Sequence, residues 1–141
     1  MAWFQREIQL PPFSRGCHPI TRHLLETVPE VTRFHVGLMH LFLKHTSASL
    51  SINENADPDV PADLESTLRT VVPDDLPYRH SVEGTDDMSA HVKSSLVGCG
   101  LAVPIREGRL CLGTWQGIML FEHRHYAGRR RVVVTIHGET D

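Results

Sequence analysis

Residues 33–54 read RFHVGLMHLFLKHTSASLSINE, and the change of pattern inside this stretch decides the fold. Up to Lys44 the run is apolar on both faces beyond Gly37, as expected of a strand at the centre of a sheet. Beyond it, Ala48, Leu50 and Ile52 interleave with Ser47, Ser49, Ser51 and Asn53, the alternation of a strand with one wet face. Two strands parted by His45-Thr46-Ser47 predict a tight bend or hairpin. His45 shares the parity of Leu41 and Leu43, so it starts core-facing and ends at the rim of the sheet.

Working outward, residues 3–10 alternate loosely and stop at Pro11-Pro12, which predicts a first strand. His18-Pro19-Ile20 opens a predicted helix with Ile20, Leu24, Leu25 and Val28 at helical spacing, ended by Pro29. A second helix is expected from Asp59, with Leu64, Leu68, Val71 and Val72 as its apolar side. A third, short helix is expected from an N-cap at Ser89, with Val92, Leu96 and Val97 apolar and Gly98 at its C′ position. After Gly100 the chain predicts strands at 101–105, 109–112, 117–124 and 130–137, separated by glycine-containing turns. No repeat, low-complexity segment or linker divides residues 1–141. The expected class is α+β: a single-domain antiparallel β-sandwich-like fold with about three helices at one side.

The 141 residues suffice for one core without staples. A formal charge of −3 argues against a nucleic-acid partner held by bulk electrostatics. The basic run Arg129-Arg130-Arg131 is expected to be a solvated strand end. Cys17, Cys99 and Cys111 have no CxxC spacing and are expected to be buried, reduced thiols. The opening residues MAWFQREIQLPPF lack the apolar region of a signal peptide, and no run reaches the ~20 apolar residues of a membrane span. A cytoplasmic protein with no membrane partner is the expectation. The anomaly is ten dispersed histidines.

Three stretches carry candidate chemistry. In EGTDDMSAHVK, residues 83–93, Asp86 and Asp87 precede a helix start and His91 follows Asp87 by four residues. Helix-start acids are favoured by the macrodipole alone, but a histidine in the first turn, where a cation is disfavoured, is not. An imidazole beside carboxylates suits a metal ligand or a general base. In HTSASLSINENADPD, His45 stands at a rim, Ser47, Ser49 and Asn53 can hydrogen-bond phosphate, and Glu54, Asp57 and Asp59 follow without the spacing of an EF-hand loop. In GTWQGIMLFEHRHY, Trp115 and Gln116 lie between glycines, where Trp115 is either a stacking surface or a core residue. Glu122 and Arg124 share one strand face, and His123 and His125 share the other, the latter pair expected at the surface. There is no HExxH, GxSxG, Walker A or GxGxxG motif.

Taken together, HTSASLSINENADPDV, DDMSAHVK, GRLCLGTWQGIMLFEHR and the terminal RRVVVTIHGE resemble the YjbQ-like family, often labelled secondary thiamine-phosphate synthase. The resemblance runs from about residue 5 to residue 139. It implies a β-sandwich-like α+β fold, a homotrimer, and a site gathering His45, Asp87 and His91. It also implies similarity to proteins with weak thiamine-phosphate synthase activity, which join a pyrimidine pyrophosphate to a thiazole phosphate. Ser89 stands where members commonly have proline.

The functional expectation is an enzyme acting on a phosphorylated or pyrophosphorylated small molecule with a divalent metal, Mg or Zn. His45, Asp87 and His91 are the expected catalytic and metal-binding residues. Ser47, Asn53, Glu54, Gln116 and Arg124 are the expected substrate-binding residues, with Arg124 pairing either phosphate or Glu122. Two alternatives fit the same residues: a non-catalytic metal- or phosphometabolite-binding protein, and a metal-dependent phosphohydrolase.

Overall fold

The computed structural model describes all 141 residues and contains eight strands and three helices. The apolar run that stops at Lys44 is β3 (Phe34–Leu43), and it is central. It pairs antiparallel with β8 (Arg131–Thr140) on one side and β5 (Gly100–Arg106) on the other. β1 (Ala2–Gln9) and β6 (Arg109–Leu110) complete a five-stranded sheet in the order β1-β8-β3-β5-β6. The second sheet has three strands, β2 (Gly16–Pro19), β7 (Gln116–Glu122) and β4 (Ala48–Glu54), in the order β2-β7-β4.

The core lies between the two sheets. Met39, Leu41, Leu43, Val132, Val134 and Ile136 of the large sheet meet Ala48, Leu50, Ile118 and Leu120 of the small one, all at most 1% exposed. Helix α1 (Thr21–Thr27) and a single 3-10 turn (Pro29–Arg33) close one end through Leu24 and Val31. Glycine is required where β3 and β8 cross most closely: a Cβ on Gly138 would overlap the Val36 carbonyl oxygen and the Gly37 Cα.

Helices α2 (Asp59–Val71) and α3 (Asp87–Val97) form a third layer, α2 against β2 and α3 against β4. This layer corrects the wet face assigned to β4. Ser49 is fully buried and Ser47 nearly so, because α3 roofs the outward side of the small sheet. The serines are polar because that interface is polar: Ser49 Oγ bonds His123 Nε2 at 2.8 Å, and Lys93 of α3 is fully buried beside it.

Other expectations move with it. Residues 16–19 form a strand rather than a helix start, since Pro19 pairs with Met119 and the helix begins at Thr21. Helix α3 begins at Asp87, two residues before the expected cap, and Ser89 points inward to the Asp74 carboxylate. On α2 the buried residue is Glu65, while Val71 is 64% exposed, because this helix packs on a polar underside that includes Arg15. His123 is buried, not a surface histidine. Arg130 is also buried, and its guanidinium forks onto Glu122 at 2.7 and 2.6 Å. The cysteines are free thiols, half-buried at 17 and 99 and exposed at 111.

Candidate metal centre

The first turn of α3 presents Asp87 on its inner side, and the helical repeat places His91 one turn on, over the same spot. The loop between α2 and α3 brings a third group. His80 Nε2 lies 2.6 Å from Asp87 Oδ2, and His91 Nε2 lies 3.2 Å from the same oxygen. One ligand atom from each of His80, Asp87 and His91 falls within 4.8 Å of the others, close enough for the three to reach one metal ion.

The wiring around this cluster fixes the orientation of the His91 ring. His91 Nδ1 is 2.8 Å from the Thr46 carbonyl oxygen, which can only accept, so Nδ1 carries a proton. In the neutral ring Nε2 then holds a lone pair directed at a carboxylate oxygen. Two lone pairs facing at 3.2 Å require a cation between them, either a second proton on His91 or a metal ion. A ligating histidine whose other nitrogen donates to a backbone carbonyl is the usual arrangement at metal sites.

Arg124 supports the carboxylate from outside the cluster. Its Nη1 lies 3.0 Å from Asp87 Oδ1, and its Nη2 donates to the Glu83 carbonyl oxygen and approaches Asp86 Oδ1. Burial pushes the Asp87 carboxyl up. The hydrogen bond to His80 and the charges of His91 and Arg124 outweigh this and hold it below its ordinary value. Asp86 does not cap its helix; its Oδ2 accepts the His125 N–H at 2.8 Å, tying the end of the β7 segment to α3. Asp74 anchors the loop from the other side. It takes both ends of the Arg15 guanidinium as well as Ser89, and its carboxyl is held at about 2.

A cleft of about 340 Å³ adjoins the cluster, lined by His45, Thr46, His91, Ser94, Ser95, Gly98 and Cys99, with no carboxylate among them. His45 is therefore beside His91 but outside the three-ligand cluster. Its Nε2 accepts the Arg131 N–H at 2.8 Å, clasping the β3–β4 bend to β8. Desolvation first, then the nearby Arg130 charge, pushes its pKa down. With Nε2 occupied, Nδ1–H is the donor that remains.

The other expected binding residues are placed elsewhere. Ser47 is buried and its hydroxyl accepts from Arg130. Asn53 and Glu54 pair with Gly117 and Gln116 at the far end of the small sheet. That is roughly 25 Å from Thr46 at ~3.3 Å per strand residue. Gln116 spends its side-chain oxygen on the Gly113 N–H. The Arg124 guanidinium pairs with Asp87 and not with Glu122, which Arg130 occupies; only the Arg124 backbone N–H reaches Glu122, donating to Oε2 at 3.2 Å. His80 escaped the sequence reading because it sits in an irregular loop with no period to mark it; its only signal was a histidine seven residues before Asp87.

The sequence matches the family model described as UPF0047 protein YjbQ-like over residues 6–139. It is similar to UPF0047 protein YjbQ of Escherichia coli O157:H7, with 47% identity over 137 residues covering 97% of this chain and 99% of the relative. A UPF0047 protein of Methanocaldococcus jannaschii is 39% identical over 112 residues, covering 79% of this chain and 76% of that one. Among solved structures, an uncharacterized conserved protein of the YjbQ/UPF0047 family from Clostridium acetobutylicum superimposes with a TM-score of 0.78 at 38% identity. The match covers 92% of this chain and 97% of that one. A YbjQ-like protein of unknown function from Sulfolobus solfataricus P2 shares the fold, with a TM-score of 0.85 at 23% identity over 98% and 99% of the two chains.

Proposed function

Because this chain belongs to the UPF0047 YjbQ-like family, and the names of the relatives above carry no activity, its function must be read from the site, and we propose a metal-dependent enzyme acting on a small phosphorylated molecule. The observation that carries this reading is the convergence of His80 Nε2 and His91 Nε2 on Asp87 Oδ2, at 2.6 and 3.2 Å, with His91 Nδ1 turned to the Thr46 carbonyl oxygen. Two imidazoles and one carboxylate suit Zn²⁺ or a similar transition metal better than Mg²⁺, which prefers oxygen ligands and water. A metal held there would polarise a phosphoryl oxygen or activate a water.

The chain's own groups divide the remaining work. Thr46 fixes the His91 ring, and Arg124 offsets the Asp87 charge and locks its orientation. His45 Nδ1–H and the hydroxyls of Thr46, Ser94 and Ser95 are donors at an acid-free cleft, which favours an anionic substrate. Thiamine-phosphate formation is one reaction of this class, but no relative's name points to it, so the class is proposed and not that reaction.

The same reading includes a homo-oligomer, with the trimer implied by the family resemblance. The outer face of the large sheet has no covering layer and exposes Trp3, Val36, Leu38 and Phe42, each at least 47%. The register aligns Trp3, His137 and Leu38 in one row across β1, β8 and β3. Exposed apolar faces of this kind mark interfaces.

The test is metal analysis of the purified protein, followed by a screen of phosphorylated metabolites for phosphate or pyrophosphate release with Zn²⁺, Mn²⁺ or Mg²⁺. Turnover that disappears in His91→Ala and His80→Ala supports the enzyme. One equivalent of bound metal with no turnover of any substrate would mean a binding protein, and no bound metal would sink the reading altogether.

A further inference from the structure

The largest cavity of the molecule is not at the metal centre. A cleft of about 570 Å³ opens between β2 and α2, within the size range of small-molecule sites. None of its lining residues belongs to the His80, Asp87 and His91 cluster, so a role for this cleft stands independently of any metal-dependent activity.

We infer that this cleft binds a small organic cation with a flat apolar body, such as an aromatic amidine or amine. The walls supply the apolar half of the recognition. Pro19, Pro58, Pro61, Ala56 and Ala62 line it, and prolines give a rigid surface that loses little freedom on binding. The mouth is fixed as well. Asn55 N–H donates to the Trp115 carbonyl oxygen at 2.7 Å, and the Asn55 side chain lies so close over Gly117 that a Cβ there would collide with it. Trp115, 63% exposed, belongs to the loop that this contact holds.

The charges supply the other half. Arg69 is the only lysine or arginine lining the cleft, and its Nε is spent on Glu65 at 2.7 Å. Glu65 forms the buried floor, with Arg15 behind it at 3.8 Å. Asp57, by contrast, has no cationic partner. One oxygen of Asp57 accepts the Asp59 N–H, and the other is free. The uncompensated charge at the rim is thus negative, the opposite of the acid-free cleft beside the metal centre. Covalent capture is not part of the role. Burial, then the nearby Glu65 charge, pushes the Cys17 thiol up to about 12, far from a reactive thiolate.

Benzamidine, benzamide and benzoate share one shape and differ in charge, so they serve as probes against ¹⁵N-labelled protein. Benzamidine is expected to bind saturably with a dissociation constant on the order of 1 mM. It should shift the amides of Cys17, His18, Asn55, Asp57 and Ser66, with benzamide weaker and benzoate silent. Asp57→Asn should weaken benzamidine about fivefold, the worth of one solvent-facing ion pair. Ala62→Trp, at an exposed position that leaves the core untouched, should fill the cleft and abolish the shifts. Equal binding of benzoate, shifts that survive Ala62→Trp, or no saturable binding would overturn the inference.

Discussion

His91 shows how a single backbone contact can define chemistry. Its Nδ1 is committed to a carbonyl oxygen, so its other nitrogen must meet Asp87 either through a proton or through a metal. Arg124 bears on the same carboxylate from behind. Replacing it with methionine keeps the packing and removes the orienting charge. Zn²⁺ affinity is then expected to fall about 10–100-fold, measured by competition with a chromogenic chelator, as for other outer-shell partners. Unchanged affinity would mean that Arg124 only packs. Arg130 and Glu122 form a different kind of pair, buried on both sides and joined by two parallel bonds. Glu122→Ala strands a buried guanidinium and should cost about 3–5 kcal/mol in urea unfolding, whereas the double variant Glu122→Leu/Arg130→Met should cost much less.

At the scale of elements, the layer between the small sheet and α3 gives the protein an acid limit. His123 is fully buried and its pKa is pushed down to about 3, by desolvation first and then by the Lys93 charge. An unfolded histidine titrates near ~6.5, so between these values the unfolded chain binds the extra proton and stability falls as pH falls. Wild type is expected to lose roughly 2–3 kcal/mol between about pH 6.5 and 4.5 from this group, at ~1.4 kcal/mol per pH unit. His123→Gln should lose correspondingly less over the same interval. Equal losses in urea titrations at the two pH values would contradict this. Asp74 acts in a separate window: its stabilisation is complete above an unfolded carboxylate pKa of ~3.9 and is lost as pH falls through about 2.

The same layer marks how far the sequence could be read. The apolar run of β3 and the period-2 alternation of β4 marked both strands, but of the bend or hairpin expected between them the structure has the bend, since they lie in different sheets. What alternation does not tell is whether the polar side meets water or a polar interior, and Ser49 belongs to the second kind. Asp87 and His91 were legible because a helix brings residues four apart together. His80 was not, since loop closure leaves no periodic trace. Within one chain Asn53, Glu54 and Gln116 lie apart from His91, because nearness in sequence along a strand is distance in space.

For the whole molecule, two clefts of opposite electrostatic character and one bare sheet face remain outside the core. No helix is long and apolar enough to cross a membrane. The bare face bears on assembly. Leu38 and Phe42 are each about half exposed, so Leu38→Lys/Phe42→Lys should leave folding intact while converting an oligomer to monomers in light scattering. A wild-type protein that is already monomeric would contradict the proposed role of that face.

The claim on which the functional reading depends is that His80, Asp87 and His91 hold one metal ion. The direct measurement is elemental analysis of protein equilibrated with Zn²⁺ and freed of excess, for wild type, His80→Ala and His91→Ala, with circular dichroism confirming the fold. The expected result is about one equivalent in wild type and a loss of at least about tenfold in affinity for each variant. The contradicting result is equal zinc in all three folded proteins, or none in any.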